Sequence, residues 1–320
     1  MENKIIKSCE FVVENSKNVK IDEKKLIEFC KKFNKKNIKH WWDVAPFNIS
    51  ELSKKEQLMF LFVFNSLSFS YWGNPKWTIE YKGKQITTAS FGMIASLGKA
   101  FEKGIPILNP DYLSKITEKE LEKILEGNVE IPLLKTRTKI LNEVGKIIIE
   151  EFESNIENLI ERSEKDAMKF LELLIKYFPS FQDTRTYKNK KIYFYKRTQL
   201  LISDIFQMFK GKDYGNLKNI INLTACADYK IPQFLNKVEI FKYSKELEDK
   251  VTNKILIPEG EEMEVELRAN TIIAVEKMKN ILKNKFPNIL SIYINDYLWL
   301  EATKIPYSEK TYHFTRTTSY

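Results

Sequence analysis

Residues that break helices are scarce in this sequence. The 320-residue chain contains 10 glycines and 10 prolines. Lys, Glu, Leu and Ile fill long stretches without the strict alternation of a half-buried strand. The hydrophobic content of 43% is enough for a sizeable core, and no composition break divides the chain. We therefore predict a mainly α protein, in which residues 1–320 form a single helical domain with one or two short β-hairpins.

Local signals place several of these elements. Ser53 with Glu56, and Thr117 with Glu120, have the spacing of capping boxes that open helices. Gly83 marks the turn of one hairpin, and a basic turn leads into an alternating strand at 192–195. Helical patterns also cover 22–37, 90–103, 133–152, 155–177, about 270–284 and most of 288–304.

Composition also limits the class of protein. No run of about 18 uncharged apolar residues exists, and the first residues lack the apolar segment of a signal peptide, so we expect a soluble, cytoplasmic protein with no membrane partner. Cys9, Cys30 and Cys226 are too scattered for a disulfide framework, and with two histidines no metal-ligand spacing exists. The net charge of +9 favours an anionic partner such as a phosphate, although surplus Lys on solvated helix faces would give the same charge.

The stretch LTACADYKIPQ, residues 223–233, places one carboxylate where a helix should begin. Pro232 fits the first turn of a helix and disfavours helical geometry at Ile231, so Asp228 should lie on the entering loop. Unpaired N–H groups and the helix dipole would keep this carboxylate ionised and fixed in direction. Asp228 is then either a helix cap or a group that faces a developing positive charge.

Two other stretches combine ionisable and aromatic residues. His40 stands directly before Trp41 in a connecting segment, where it is either a site residue or a buried, hydrogen-bonded histidine. Asn295 and Asp296 precede Trp299 by four and three residues, so both can share a helix face with its indole. A carboxyl group beside an indole in an apolar helix is a candidate for a perturbed pKa, unless it lies on the exposed edge.

Positive charge gathers at two further places. Lys196 and Arg197 follow the alternating strand, and His313 and Arg316 lie near the end of the chain. Such groups can receive a phosphate, because Arg makes paired hydrogen bonds and Lys supplies a point charge. The first pair could equally be a solvated charge run, and position alone predicts a frayed tail for the second.

Several segments, in order along nearly the whole chain, resemble the queuosine salvage protein family of queuosine 5'-phosphate N-glycosylases/hydrolases. The stretch ADYKIPQ is similar to the family's FADYR(I/L)PQ segment. The other matching segments are LSFSYW with the YKGK hairpin, GIPI with a Tyr-Leu pair, FPSFQD, FYKRTQLLISD, EVELR, DYLW and a tail with His, Arg and a final Tyr.

The resemblance implies cleavage of the N-glycosidic bond of queuosine 5'-phosphate, which releases queuine for reuse in tRNA. It also implies a mostly helical fold similar to helical DNA glycosylases, and no metal or organic cofactor. The family's base site uses a His, the Phe and Asp of FADY, and the Asp and Trp of a DxxLW motif. Carried over by position, these are His40, Cys226, Asp228, Asn295 and Trp299.

The sequence departs from the family pattern at two of these positions. Cys226 replaces a Phe, so one aromatic wall is missing unless Phe69, Tyr71 or Trp41 fills the gap. Asn295 stands at the position of the catalytic Asp, although an Asn can neither accept a proton nor carry negative charge. Either Asp296 swings in through a local shift of the helix, or the protein is a weak or altered enzyme.

We assign roles on this basis. Asp296, with Asn295 at the family position, lies on the sugar side of the scissile bond. Asp228 meets the edge of the base or its amino substituent, while Trp299 stacks on the base and His40 touches it. The proposed ligands of the 5'-phosphate are Lys196, Arg197, His313 and Arg316.

Two other functions fit the same sequence. A basic helical protein could bind queuosine nucleotides or tRNA without cleaving them, and the Asn at position 295 favours that alternative. A glycosylase that acts on a base flipped out of nucleic acid would fit the expected fold. Because no duplex-docking motif is present, we expect a small nucleotide substrate and no stable nucleic-acid complex.

Overall fold

The computed structural model describes residues 3–34, 36, 38–306 and 308–320. These residues form a mainly helical protein with small two-stranded sheets, so the predicted fold class is confirmed. The expected likeness to helical DNA glycosylases remains a prediction. The helices are α1 (Lys4–Asn15), α2 (Glu23–Lys32), α3 (Lys54–Leu67), α4 (Ala89–Glu102), α5 (Pro110–Leu113), α6 (Glu118–Ile124), α7 (Leu134–Phe152), α8 (Glu157–Arg162), α9 (Ala167–Tyr177), α10 (Lys196–Met208), α11 (Lys230–Lys237), α12 (Lys245–Thr252), α13 (Glu262–Leu282) and α14 (Ser291–Thr303).

The hairpin predicted around Gly83 is present, and a second hairpin includes part of the strand predicted at 192–195. Strands β2 (Ile79–Tyr81) and β3 (Lys84–Ile86) pair across a turn in which Gly83 has φ +72°. Strands β4 (Thr184–Tyr187) and β5 (Lys190–Tyr193) pair across a turn with positive φ at two residues. A third antiparallel pair joins β1 (Val19–Ile21) to β6 (Phe241–Tyr243). Local patterns could not predict this pair, because its strands are far apart in sequence.

The predicted helix boundaries are right where capping hydrogen bonds mark them and wrong at some other places. The side chains of Ser53 and Thr117 each accept a hydrogen bond from the third residue of their helix, and both capping boxes are complete. The predicted helix over 155–177 is wrong, because left-handed backbone at Glu164 and Lys165 separates α8 from α9. The pattern over 22–37 also extends too far, since the backbone is extended at Phe33. Residues 35 and 37 lie outside the described residues.

Helix α13 lies at the centre of the fold and carries charged residues into the core. It begins at Glu262, well before the predicted start near residue 270, and packs against α1, α2 and α14. The Arg268 guanidinium donates two hydrogen bonds to the Asp183 carboxylate, at 2.9 and 2.5 Å. Glu266 accepts from the backbone N–H of Asn18 at 2.6 Å. Partners such as these allow a helix to be buried on all sides despite its charges.

The end of the chain is packed into the protein. The Tyr320 carbonyl accepts a hydrogen bond of 2.7 Å from the Ser70 N–H, and Trp72 stacks on Phe314 with ring centroids 4.4 Å apart. His313 and Tyr320 are buried. The frayed tail predicted from position is therefore wrong, because long-range contacts hold this segment.

Over the described residues, no helix is both long and apolar enough to cross a bilayer.

Candidate active site

A cavity of about 460 Å³ opens where α10, α14, the start of α4 and the start of α11 meet the aromatic loop after α3, residues 68–77. Its interior carries carboxylates and aromatic rings, and lysines lie among its lining residues. Of the residues expected at the site, six line this cavity: Lys196, Cys226, Asp228, Asn295, Asp296 and Trp299. Four do not, namely His40, Arg197, His313 and Arg316.

Several aromatic rings line the cavity. The rings of Trp41 and Trp299 meet edge to face, with centroids 5.4 Å apart, and Trp41 also packs on Phe64 at 5.3 Å. Phe69 and Tyr71 line the cavity as well. The three rings considered as replacements for the missing Phe therefore all lie at the cavity. Flat apolar walls of this kind suit a planar heterocycle.

Asp296 is the carboxylate of the cavity that lies on a long helix. It is 1% exposed, and it accepts hydrogen bonds from Gln207 Nε2 at 2.9 Å and from Asn295 Nδ2 at 3.2 Å. Burial raises the pKa of Asp296 to about 6, although His40 acts in the opposite direction. Helix α14 continues unbroken past this point, so Asp296 reaches the cavity without the local shift of the helix considered above.

Asn295 has a different task from its neighbour. Its Oδ1 accepts a hydrogen bond of 2.8 Å from the backbone N–H of Cys226, and its Nδ2 donates to Asp296. The side chain therefore ties α14 to the segment before α11 and orients the adjacent carboxylate. Burial raises the pKa of the Cys226 thiol well above its usual value, so Cys226 faces the cavity as a neutral group.

Asp228 both caps a helix and lines the cavity. Its Oδ1 accepts from the backbone N–H groups of Lys230 and Ile231, at 2.8 and 3.1 Å, so the capping hydrogen bonds are present, and the role opposite a developing positive charge stays a prediction. Burial raises the pKa of Asp228, while Lys196 and the two capping amides act to lower it. The direction is opposite to our expectation, because desolvation outweighs the favourable helix start.

His40 lies behind Asp296, outside the cavity lining. Its Nε2 is 3.4 Å from Asp204 Oδ1 and 4.0 Å from Asp296 Oδ2. Burial lowers its pKa, but the hydrogen bond to Asp204 and the charge of Asp296 raise it, and the net direction is upward. The sequence did not indicate Asp204, although it belongs to the segment FYKRTQLLISD.

Three of the four residues expected to bind phosphate do not line the cavity. Arg197 donates to the backbone carbonyls of Ser66 and Ser180, and Arg316 donates to the Trp72 carbonyl at 3.0 Å. Burial lowers the pKa of His313 to about 3, so its imidazole is neutral at physiological pH. Of this set, Lys196 lines the cavity. Sequence alone could not show that both guanidinium groups already donate hydrogen bonds to backbone carbonyls.

Lysines that the sequence reasoning missed line the cavity. Lys76 is exposed and lies on the aromatic loop, while Lys230 is half-buried at the start of α11. Burial, together with the charge of Lys76, lowers the pKa of Lys230 to about 8. Lys304 also lines the cavity, but its Nζ is 2.6 Å from Glu301 Oε1. The position of Lys230 within ADYKIPQ could have indicated from the sequence that it lies near the site.

Comparison with known proteins gives one consistent family. The family described as "Queuosine salvage protein" matches residues 49–320. A protein of Sphaerobacter thermophilus is 32% identical over 317 residues, which cover 97% of this chain and 95% of the relative. A protein of Nematostella vectensis is 34% identical, with 93% and 91% covered, and one of Bos taurus is 31% identical, with 91% of each covered. All three are named "Queuosine 5'-phosphate N-glycosylase/hydrolase".

The pKa of Asp296 predicts a stability cost. The folded-state pKa of Asp296, about 6, lies above the ordinary value of 3.8, so the folded protein favours the protonated carboxyl. The stability that this protonated group provides at low pH is lost as pH rises through 6, because the buried carboxyl must then ionise. At pH 7.5, Asp296→Asn should therefore raise the free energy of unfolding by about 1–3 kcal/mol. At pH 4 the gain should vanish, as measured by urea unfolding.

The exposed residue Asp249 provides the matched control. Asp249→Asn removes the same charge from the surface, and its unfolding midpoint should stay close to that of the wild type at both pH values. A variant Asp296→Asn that is less stable than the wild type at pH 7.5 would contradict the account.

Proposed function

This chain belongs to the queuosine salvage protein family, and we propose that it hydrolyses the N-glycosidic bond of queuosine 5'-phosphate and releases queuine. The family match over residues 49–320 and the names of the relatives support this reaction. The observation that carries the proposal is the buried Asp296 carboxylate, which lines a cavity with aromatic walls.

The electrostatics of the cavity match the demands of the reaction. Breaking a ribosyl bond builds positive charge on the sugar, so a fixed carboxylate near the anomeric carbon lowers the barrier. Asp296 is ionised above a pH of about 6, and Gln207 and Asn295 hold it in place. It either orients the attacking water or attacks the sugar directly. In both cases water ends on the sugar, the base leaves with a proton, and no cofactor is required.

The rest of the cavity is assigned to the base. Queuine is a 7-deazapurine without a basic N7, so protonation at that position cannot help it leave. Hydrogen bonds to the departing ring therefore matter more, and Asp228 is placed to meet the base edge or its amino substituent. Trp299 and Trp41 provide the faces on which the ring stacks.

We assign the 5'-phosphate to Lys76 and Lys230. Each lines the cavity, and the charge of Lys76 acts to lower the pKa of Lys230, so the two cations repel each other. A phosphate between them would relieve this repulsion. Lys304 is already paired with Glu301 and is left out of the assignment.

The proposal also covers the domain organisation, the location and the partners of the protein. We infer that residues 1–320 form one domain, since β1, which precedes the matched residues, pairs with β6. The proposed location is the cytoplasm, and no stable nucleic-acid complex is expected. The alternative of an inactive binding module receives no support from the relatives, all three of which are named as hydrolases.

Incubation with queuosine 5'-phosphate tests the proposed reaction, with free queuine followed by chromatography. Wild-type protein should release queuine, and Asp296→Asn should reduce kcat by about 10²–10³-fold, because it removes the charge that faces the sugar. Asp249→Asn should keep wild-type activity. Failure of the wild type to release queuine would overturn the function, and full activity of Asp296→Asn would overturn the role of its carboxylate.

Comparison of queuosine 5'-phosphate with queuosine tests the phosphate site. Lys230→Met should raise KM for the nucleotide about tenfold or more while changing KM for the nucleoside little, because only the nucleotide carries the dianion. Arg316→Ala is the control, since its guanidinium already binds the Ser70 and Trp72 carbonyls, and it should affect both substrates equally. An equal effect of Lys230→Met on both substrates would exclude this assignment.

A further inference from the structure

Asp204 is a buried carboxylate that the reaction as described does not use. It lies on α10, is fully buried and does not line the cavity. Its Oδ1 accepts a hydrogen bond of 2.9 Å from Trp41 Nε1, and its Oδ2 accepts one of 3.0 Å from Asn65 Nδ2. Within the part of the chain that the structure describes, its ion-pair partner is His40. A buried carboxylate requires compensation of this kind.

His40 lies between two carboxylates. Its Nε2 is closer to Asp204, at 3.4 Å, than to Asp296, at 4.0 Å. Burial opposes protonation of the ring, but the hydrogen bond to Asp204 and the charges of Asp296 and Asp43 raise the pKa of His40. A proton on Nε2 can therefore bond to Asp204 while its charge faces Asp296.

We propose that Asp204 is a positioning residue, which holds His40 protonated and fixes the Trp41 ring so that Asp296 meets the sugar as a carboxylate. This inference rests on the proposed function. With the proton, the three groups Asp204, His40 and Asp296 carry a net charge of about −1, and without it the charge would be about −2 in a buried place. In that case Asp296 would take up a proton and lose the charge that the reaction needs.

Other charged or titratable groups near this arrangement do not replace the imidazolium. Lys196 on α10 is a buried cation that interacts with Asp204, but the charge that most strongly supports its protonation is that of Asp228. Its Nζ is 3.4 Å from the Ser68 carbonyl. Other titratable groups of the described residues that interact with Asp296 or its partners include Cys226 before α11, Tyr293 on α14 and Asp43 beside His40.

An NMR titration of the imidazole nitrogens tests the proton on His40 without substrate. The chain has two histidines, and the pKa of His313 is lowered to about 3, so one ring should titrate between pH 5 and 8.5. In the wild type, His40 should titrate above 6.5. Asp204→Asn should lower that pKa by about one unit or more, because it removes the nearer charge while keeping an acceptor for Trp41. The exposed Asp43→Asn should shift it much less.

Kinetics with queuosine 5'-phosphate test whether the proton matters for the reaction. Asp204→Asn should lower kcat about tenfold or more with KM within about twofold, since Asp204 does not line the cavity. His40→Gln should show a similar loss. The double variant should be no slower than His40→Gln alone, because both changes act through the same proton.

Three results would overturn the inference. They are a wild-type pKa of His40 at or below 6.5, an unchanged pKa in Asp204→Asn, and losses that add in the double variant. If Asp204→Asn does not fold, the wild-type titration and the kinetics of His40→Gln decide. Absence of queuine release by the wild type would overturn the proposed function instead, and the substrate-free titration separates the two failures.

Discussion

The ion pair between Arg268 and Asp183 holds together the segments that form the cavity. Both residues are buried, and although burial raises the pKa of Asp183, Arg268 keeps it below its usual value. The same carboxylate accepts a hydrogen bond from the Lys196 N–H, where α10 begins, and Arg268 Nε donates to the Ala227 carbonyl, beside Cys226. Arg268 also lies 4.5 Å from the centre of the Tyr320 ring. Removing one partner of such a pair leaves a buried charge unpaired, which typically costs about 3–5 kcal/mol.

The sequence predicted the parts of the fold that depend on local interactions. Complete capping boxes at Ser53 and Thr117, and the Gly83 turn, use residues only a few positions apart, and each was recognised. The break between α8 and α9 was missed, because Glu164 and Lys165 are not typical of left-handed backbone. The pairing of β1 with β6 and the packed C-terminal tail depend on partners far away in sequence, and no local pattern specifies them.

Some of the residues predicted for the candidate site line the cavity, and others do not. Residue type and spacing singled out Asp228, Asp296 and Trp299 as candidates, and the structure brings them to one cavity. The assumption that basic residues remain available for a phosphate was less successful, since the guanidinium groups of Arg197 and Arg316 bind backbone carbonyls. Charge alone does not reveal such internal partners. The roles proposed for Lys76, Lys230 and Asp204 rest on spatial neighbours that the sequence does not show.

In the proposed reaction, the ionised carboxylate of Asp296 stabilises the positive charge that develops on the sugar. The most direct measurement is kcat/KM between pH 5 and 8, which reports ionisations of the free protein. Because the phosphate of the substrate also titrates near pH 6, the profile must be measured with queuosine as well as its 5'-phosphate. The account predicts, for both substrates, an activity that falls as pH drops through about 6, the pKa of Asp296. A profile for queuosine that stays flat or rises towards low pH would contradict it.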